Sequence, residues 1–166
     1  MPALESGVLA PQISLSFLDG RRFSLKDSLK GGPVVVAFFK VSCPVCQFAF
    51  PYLERIFKAY GQRAKVTFVG VSQDNAADTK TFSSEFGISF PMLLDEKGKY
   101  PASNAYVLTN VPSIFLIAAD GEIKSSIVGW SKPDMEQFGQ KLARLSGQVV
   151  QGIFLAGEEV PEYKPG

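Results

Sequence analysis

The sequence predicts an α/β fold: a central mixed β-sheet flanked by helices, with an added N-terminal β-hairpin. Three observations carry this. Two continuous β-branched and aromatic runs, "PVVVAFF" at 33–39 and "KVTFVGVS" at 65–72, are each followed by a stretch with helical spacing of apolar residues. Such runs mark strands buried on both faces. A late segment, "VPSIFLIAADGEIKSSIVGW", reads as two strands around a tight turn.

The elements follow in order. "ISLSFL" alternates, meets "DG" and continues into "RRFSL", which predicts a hairpin. "SLKDSLKGG" predicts a brief helix or turn ended by glycines. After the strand at 33–39, Val45, Phe48, Ala49, Tyr52, Leu53, Ile56 and Phe57 recur at helical spacing from Pro44 to about Tyr60, and Gly61 supplies a stop. The strand at 65–72 leads into a helix at 75–87 capped by Asn75 or Asp74. The stretch from Ile88 to Asn110 reads as loops with one short helix near 102–107. Strands at 113–118 and 122–128 precede a helix over 132–147, with Pro133 in its first turn and Met135, Phe138, Leu142 and Leu145 on one face. Residues 1–147 thus make one domain, and 148–166 an extension: a docked apolar segment and then a loose tail. Strand-helix-strand order implies parallel pairing by right-handed crossover, and the late hairpin adds antiparallel strands.

Composition narrows the chemistry. The chain of 166 residues, 46% hydrophobic and 20% charged, has the profile of a globular protein with a substantial core. Seventeen basic and sixteen acidic residues leave a formal charge of +1, so nucleic-acid binding has no electrostatic support. No apolar run approaches the ~18 residues that span a bilayer. The start, "MPALESGVLAP", has neither the basic nor the apolar region of an export signal, and the compartment stays open. There is no histidine, which excludes Ser/His/Asp and Cys/His catalysis and the usual His-containing metal sites. No Gly-rich phosphate loop follows a strand, so no metal, nucleotide or flavin is expected.

Cys43 and Cys46 are the chain's two cysteines, separated by Pro44 and Val45. Cys43 falls at the corner where the buried strand ends and a helix begins. There, free backbone N–H groups and the positive end of the helix dipole favour thiolate, which predicts Cys43 as the nucleophile. Cys46, one turn later on the same face, is placed to attack a mixed disulfide at Cys43 and release the partner reduced. Other readings stand beside this one. A zinc site needs about four ligands, so two cysteines without histidine would require a shared dimeric site. A structural disulfide across so small a loop gains little chain entropy. Chance placement is the third alternative.

With "PVVVAFFKVSCPVC", Pro51 five residues beyond Cys46, and "NVPSIFLI" ahead of a hairpin, the sequence resembles the thioredoxin superfamily over about residues 7–147. It is most similar to TlpA/ResA-type redoxins and their alkyl hydroperoxide reductase/thiol-specific antioxidant relatives. The early hairpin and the stretch "FPMLLDEKGKYPASNAYVLTN" resemble that group's N-terminal addition and central insertion. The resemblance implies a thioredoxin-like fold and a thiol:disulfide oxidoreductase. It implies a cis peptide bond at Pro112 and a substrate groove shaped by Pro112, Val111, Ser42, Pro44 and Val45. Pro51 would be a kink in the active-site helix. The expected partners are protein dithiol or disulfide substrates and an electron-donating redox protein, with the chain acting as a monomer. Resembling redoxins are often exported or membrane-anchored.

The chain departs from its relatives close to the cysteines. Ser42 stands where thioredoxins carry tryptophan. Ala37 and Ala49 stand where relatives place acids that assist the second cysteine. If Cys46 needs a base, water or an unplaced carboxylate such as Glu54 or Glu85 must serve. A peroxiredoxin is the rival enzyme, but Lys40 and Val36, counted back from Cys43, are not the hydroxyl and proline it needs, nor are Cys43 and Phe39 counted back from Cys46. No arginine lies between Arg63 and Arg144. A non-catalytic binding module, supported by the missing acids and by "VVQGIFLAG", is the third reading; Trp130 could serve its docking surface, but the preferred reading of Trp130 is a partly buried aromatic at a strand end.

Overall fold

The computed structural model describes residues 3–62 and 65–166. Arg63 lies outside the described residues. Strands β1 (Ser14–Phe17) and β2 (Arg22–Ser24) form the early hairpin and lead into a five-residue helix, α1 (Leu25–Leu29). Then come β3 (Val34–Phe39), α2 (Pro44–Ile56), β4 (Thr67–Ser72) and α3 (Ala76–Phe86). Next are β5 (Met92–Leu94), α4 (Pro101–Ala105), β6 (Ser113–Ile117), β7 (Ile123–Val128), β8 (Trp130–Ser131), α5 (Lys132–Leu145) and β9 (Tyr163–Lys164).

Seven strands make one mixed sheet in the order β2-β1-β5-β4-β3-β6-β7. β3, β4 and β5 run parallel, while β6 returns antiparallel to β3 with Ala37 opposite Ile114. Every residue of β3 is buried, as its uninterrupted apolar sequence demands of a strand covered on both faces. Side chains alternate between two cores. Val35, Ala37 and Phe39 join Cys46, Phe50 and Leu53 of α2, Phe82 of α3 and Phe138 of α5 on one face. Val34, Val36 and Phe38 face Ile13, Phe23, Leu25 and Tyr106 on the other.

Two regions differ from the sequence reading. Residues 92–94, read as loop, form β5 and fill the place between β4 and β1. The last residues, read as a loose tail, are pinned: Tyr163–Lys164 pairs antiparallel with Trp130–Ser131, and the Trp130 indole N–H donates to the Pro161 carbonyl at 2.7 Å. Trp130 is fully buried, edge-on to Phe48.

The extension is a strap across α2. After Ile56, the active-site helix widens into a π turn over Phe57–Gly61. Tyr60 there receives Gln151 N–H on its hydroxyl at 2.7 Å, and its carbonyl accepts from the Gln148 amide at 2.9 Å. Arg55 grips Glu158 through both terminal nitrogens at 2.8 Å, donates to the Ile153 carbonyl at 3.0 Å, and lies over the Tyr52 ring. A bidentate guanidinium-carboxylate pair combines charge with fixed geometry, so the strap is held at a definite place along the helix.

Candidate active site

Cys43 is the N-cap of α2. Its backbone is extended, its carbonyl starts the helical ladder by accepting from Gln47 N–H at 3.0 Å, and Pro44 takes the first helical position, where a missing N–H costs nothing. The sulfur serves as the cap acceptor: Cys46 N–H donates to Cys43 Sγ at 3.2 Å. Helix geometry therefore aims a backbone dipole at the outer thiol.

The two sulfurs sit in different surroundings. Cys43 is partly exposed and Cys46 is fully buried in the core beneath it, beside Ala37 and Ala49. Burial, with a hydrogen bond to Cys43 adding to it, pushes the Cys46 thiol well above the usual cysteine range. The chain carries both cysteines as free thiols.

Among the described residues no carboxylate acts on the buried Cys46 thiol. Among the described residues the buried carboxylates are Glu54 and Asp95. Glu54 lies eight residues beyond Cys46 on α2, about 12 Å along the axis at 1.5 Å per residue. Its oxygens accept from Ser89 N–H at 2.9 Å and from the Ser89 hydroxyl. Asp95 caps α4, accepting from the backbone N–H groups of Ala102 and Ser103 at 3.0 and 2.8 Å. Glu85 is exposed on α3. Glu54 is thus committed to Ser89 far along α2 from the inner sulfur. Among the described residues no cluster of three or more potential metal ligands forms.

Three further segments frame Cys43. The Val111–Pro112 peptide bond is cis, and the Val111 carbonyl accepts from the Cys43 thiol at 3.5 Å. Ser42 and Pro44 are exposed and Val45 half-buried around the sulfur. The turn ahead of it is tied down by two side chains: Asp74 accepts from Val41 N–H at 2.8 Å, and the Gln47 amide donates to the Val41 carbonyl at 2.9 Å. Beside Val111 opens a polar cleft lined by Lys40, Gln73, Tyr100, Asn104 and Asn110.

Asp74 and Gln47 escaped the sequence reading as site residues. The sequence offers Asp74 only as a helix cap, a role that Asn75 takes by accepting from Asp78 N–H at 2.8 Å. Each reaches the site through tertiary folding across more than thirty residues or from the helix surface, and no spacing in the chain announces it.

A thioredoxin-like sheet carrying a CxxC pair at a strand-to-helix corner, the outer thiol accessible and the inner one buried, defines a thiol-disulfide oxidoreductase. The relatives bear the same name. Thiol-disulfide oxidoreductase ResA of Geobacillus thermodenitrificans is 31% identical over 137 residues, 81% of this chain and 76% of that protein. Thioredoxin-like protein YneN of Bacillus subtilis is 28% identical over 81% of this chain and 78% of its own length. Among solved structures, the thioredoxin domain of a thiol-disulfide oxidoreductase from Bacteroides vulgatus superposes with a TM-score of 0.73 at 28% identity, covering 84% of this chain and 98% of that one. Residues 7–126 match the AhpC/TSA family, and the chain belongs to it. Its activity implies protein substrates, and among the described residues no helix is long and apolar enough to cross a membrane.

Proposed function

We propose that this chain exchanges disulfides with protein substrates by a two-step relay in which Cys43 attacks and Cys46 resolves. In the reducing direction, Cys43 thiolate attacks one sulfur of a substrate disulfide. A Cys43-substrate bond forms, the substrate S–S bond breaks, and the second substrate sulfur leaves as thiolate. Cys46 then gives up its proton to solvent or to the departing thiolate and attacks Cys43 Sγ. The substrate leaves as a dithiol and Cys43–Cys46 is oxidised, two electrons having passed to the substrate. A redox protein supplies electrons to close the cycle, and the chain works as a monomer. Val111 presents its backbone to an extended substrate strand, with Pro112, Ser42, Pro44 and Val45 shaping the groove around the sulfur.

The observation carrying this reading is the asymmetry of the pair: a partly exposed Cys43 capped by Cys46 N–H, above a buried Cys46. The peroxidase reading lacks a comparable support. Arg21 and Arg22 are engaged with Asp19 and with Ser14 and Ser16 on the hairpin, and Arg55 with Glu158, so none of the three is free to polarise a peroxide at Cys43.

Insulin disulfide reduction with dithiothreitol, run beside hydrogen peroxide consumption, tests the proposal. The wild type is expected to catalyse the first reaction, Cys43→Ser to abolish it, and Cys46→Ser to accumulate mixed disulfides through Cys43. Rapid Cys43-dependent peroxide loss without disulfide exchange would overturn the relay.

A further inference from the structure

The strap runs to the active site. From its anchor on Arg55, the chain passes Pro161 on the Trp130 indole and Glu162, whose carbonyl accepts from Lys132 N–H at 2.8 Å. It then pairs as β9 with β8, places Lys164 Nζ 5.1 Å above the Phe48 ring of α2, and reaches Gly166, whose carbonyl accepts from the Asn110 amide at 3.1 Å.

The final crossing is made by two glycines. Gly129 has φ +78°, and a Cβ on it would lie 2.7 Å from the Lys164 carbonyl oxygen and 2.8 Å from the Gly166 nitrogen. A Cβ on Gly166 would lie 2.8 Å from the Val111 carbonyl oxygen. That oxygen is the one that accepts from the Cys43 thiol at 3.5 Å. One face of the Val111 carbonyl therefore meets the outer sulfur, while residue 166 packs directly against the same group.

We propose that residues 163–166 are a specificity gate on the groove, covering the Asn110–Val111 edge so that an extended polypeptide must displace them before it pairs with Val111. This rests on the groove reading given above. Small disulfides that reach Cys43 without pairing along Val111 bypass the gate. At Gly166 the gate is latched by one side-chain hydrogen bond from Asn110 and close glycine packing, and behind it by the β8–β9 pairing and Lys164 over Phe48. Its root is firmly held by Arg55, Tyr60 and Trp130, so the tip opens without release of the strap.

The test compares wild type, a chain ending at Glu162, and full-length Asn110→Ala, each with insulin and with oxidised glutathione. The shortened chain is expected to reduce insulin about five-fold faster, the factor carried by one net hydrogen bond. Oxidised glutathione should react at an unchanged rate. Asn110→Ala keeps the backbone carbonyl that Ser113 uses and should shift the insulin-to-glutathione ratio the same way. An unchanged ratio in either folded variant, an equal rise on both substrates, or a loss confined to insulin would overturn the gate. If removing β9 unfolds the shortened chain, as far-ultraviolet circular dichroism would show, the full-length Asn110→Ala ratio decides. Insulin reduction that survives Cys43→Ser would instead sink the active-site reading and leave the gate without a groove.

Discussion

The backbone N–H of Cys46 points at the sulfur of Cys43 from 3.2 Å, so the outer cysteine caps the helix and its sulfur is polarised by the inner one's N–H before either reacts. With Cys43 partly exposed and Cys46 buried, reagents meet the two thiols unequally. Under iodoacetamide at neutral pH, Cys43 should be modified at least about ten-fold faster than Cys46, as read by peptide mass spectrometry. Faster labelling of Cys46 would reverse the assigned roles.

Burial holds the Cys46 thiol protonated in the fold, whereas the unfolded chain releases that proton near the free value of about 8.5. Above that pH the unfolded state binds fewer protons than the native state, so stability falls as pH rises. The limiting slope is about 1.4 kcal/mol per pH unit. Tyr106, also raised by burial, adds to the fall only above its free value of about 10. Urea unfolding of the reduced protein between about pH 8.5 and 10 should show this decline, and Cys46→Ala should remove it.

Arg55 works in the opposite direction at low pH. Its hydrogen bonds hold the Glu158 carboxyl down to about 2. A depressed carboxyl contributes stability that is present above its unfolded value of about 4.3 and is lost as pH falls through its folded value. The strap should therefore loosen in acid from about pH 4 downward. Trp130, the one tryptophan in the chain, packs near Phe154 of the strap and reports the change by fluorescence. Arg55→Met should move the fluorescence transition toward pH 4.3, the ordinary glutamate range.

Glu54 offers a separation of stability from catalysis. Its carboxylate satisfies Ser89 and stands a long way down α2 from Cys46. Glu54→Ala should cost about 1–3 kcal/mol in chemical denaturation, the range for orphaning a buried hydrogen-bonding partner. Insulin reduction by the folded variant should stay within about two-fold of wild type, since no proton passes through this group. A large selective loss of activity would make Glu54 a participant.

Asp74 is expected to position the active-site turn through Val41 N–H. Asp74→Ala should lower kcat/KM for insulin by roughly five- to ten-fold, the loss expected for one charge-assisted hydrogen bond. Asp74→Asn, which keeps an acceptor oxygen, should restore part of it. A loss confined to thermal stability would place Asp74 outside the positioning role.

Local pattern made much of this molecule readable in advance. The unbroken apolar runs of β3 and β4, the helical spacing of α2 and the late hairpin are signals that a few neighbouring residues carry, and each appears where the sequence predicts it. The CxxC pair was legible for the same reason, whereas the cis bond at Pro112 came from the resemblance to a family and not from local pattern. β5 was not: three residues, Met92–Leu94, become a strand only because β4 and β1 offer hydrogen bonds on either side. The end of the chain was misread for a related reason. Tyr163 and Lys164 gain order from Trp130 and Ser131, over thirty positions earlier, and Gly129 shows its purpose only when Gly166 arrives beside it. The same holds for Asp74 at Val41. Supports of this kind depend on chain segments meeting in three dimensions, which no short spacing encodes.

Unequal access to the two sulfurs gives the pair a single door. In the relay proposed above, a partner protein bonds to the outer cysteine whichever way electrons flow, while the inner one stays within the chain and sees only its neighbour. Under that relay the potential of the partners would set the direction of transfer without rebuilding the entrance, and one surface would serve both the protein that delivers electrons and the protein that receives them.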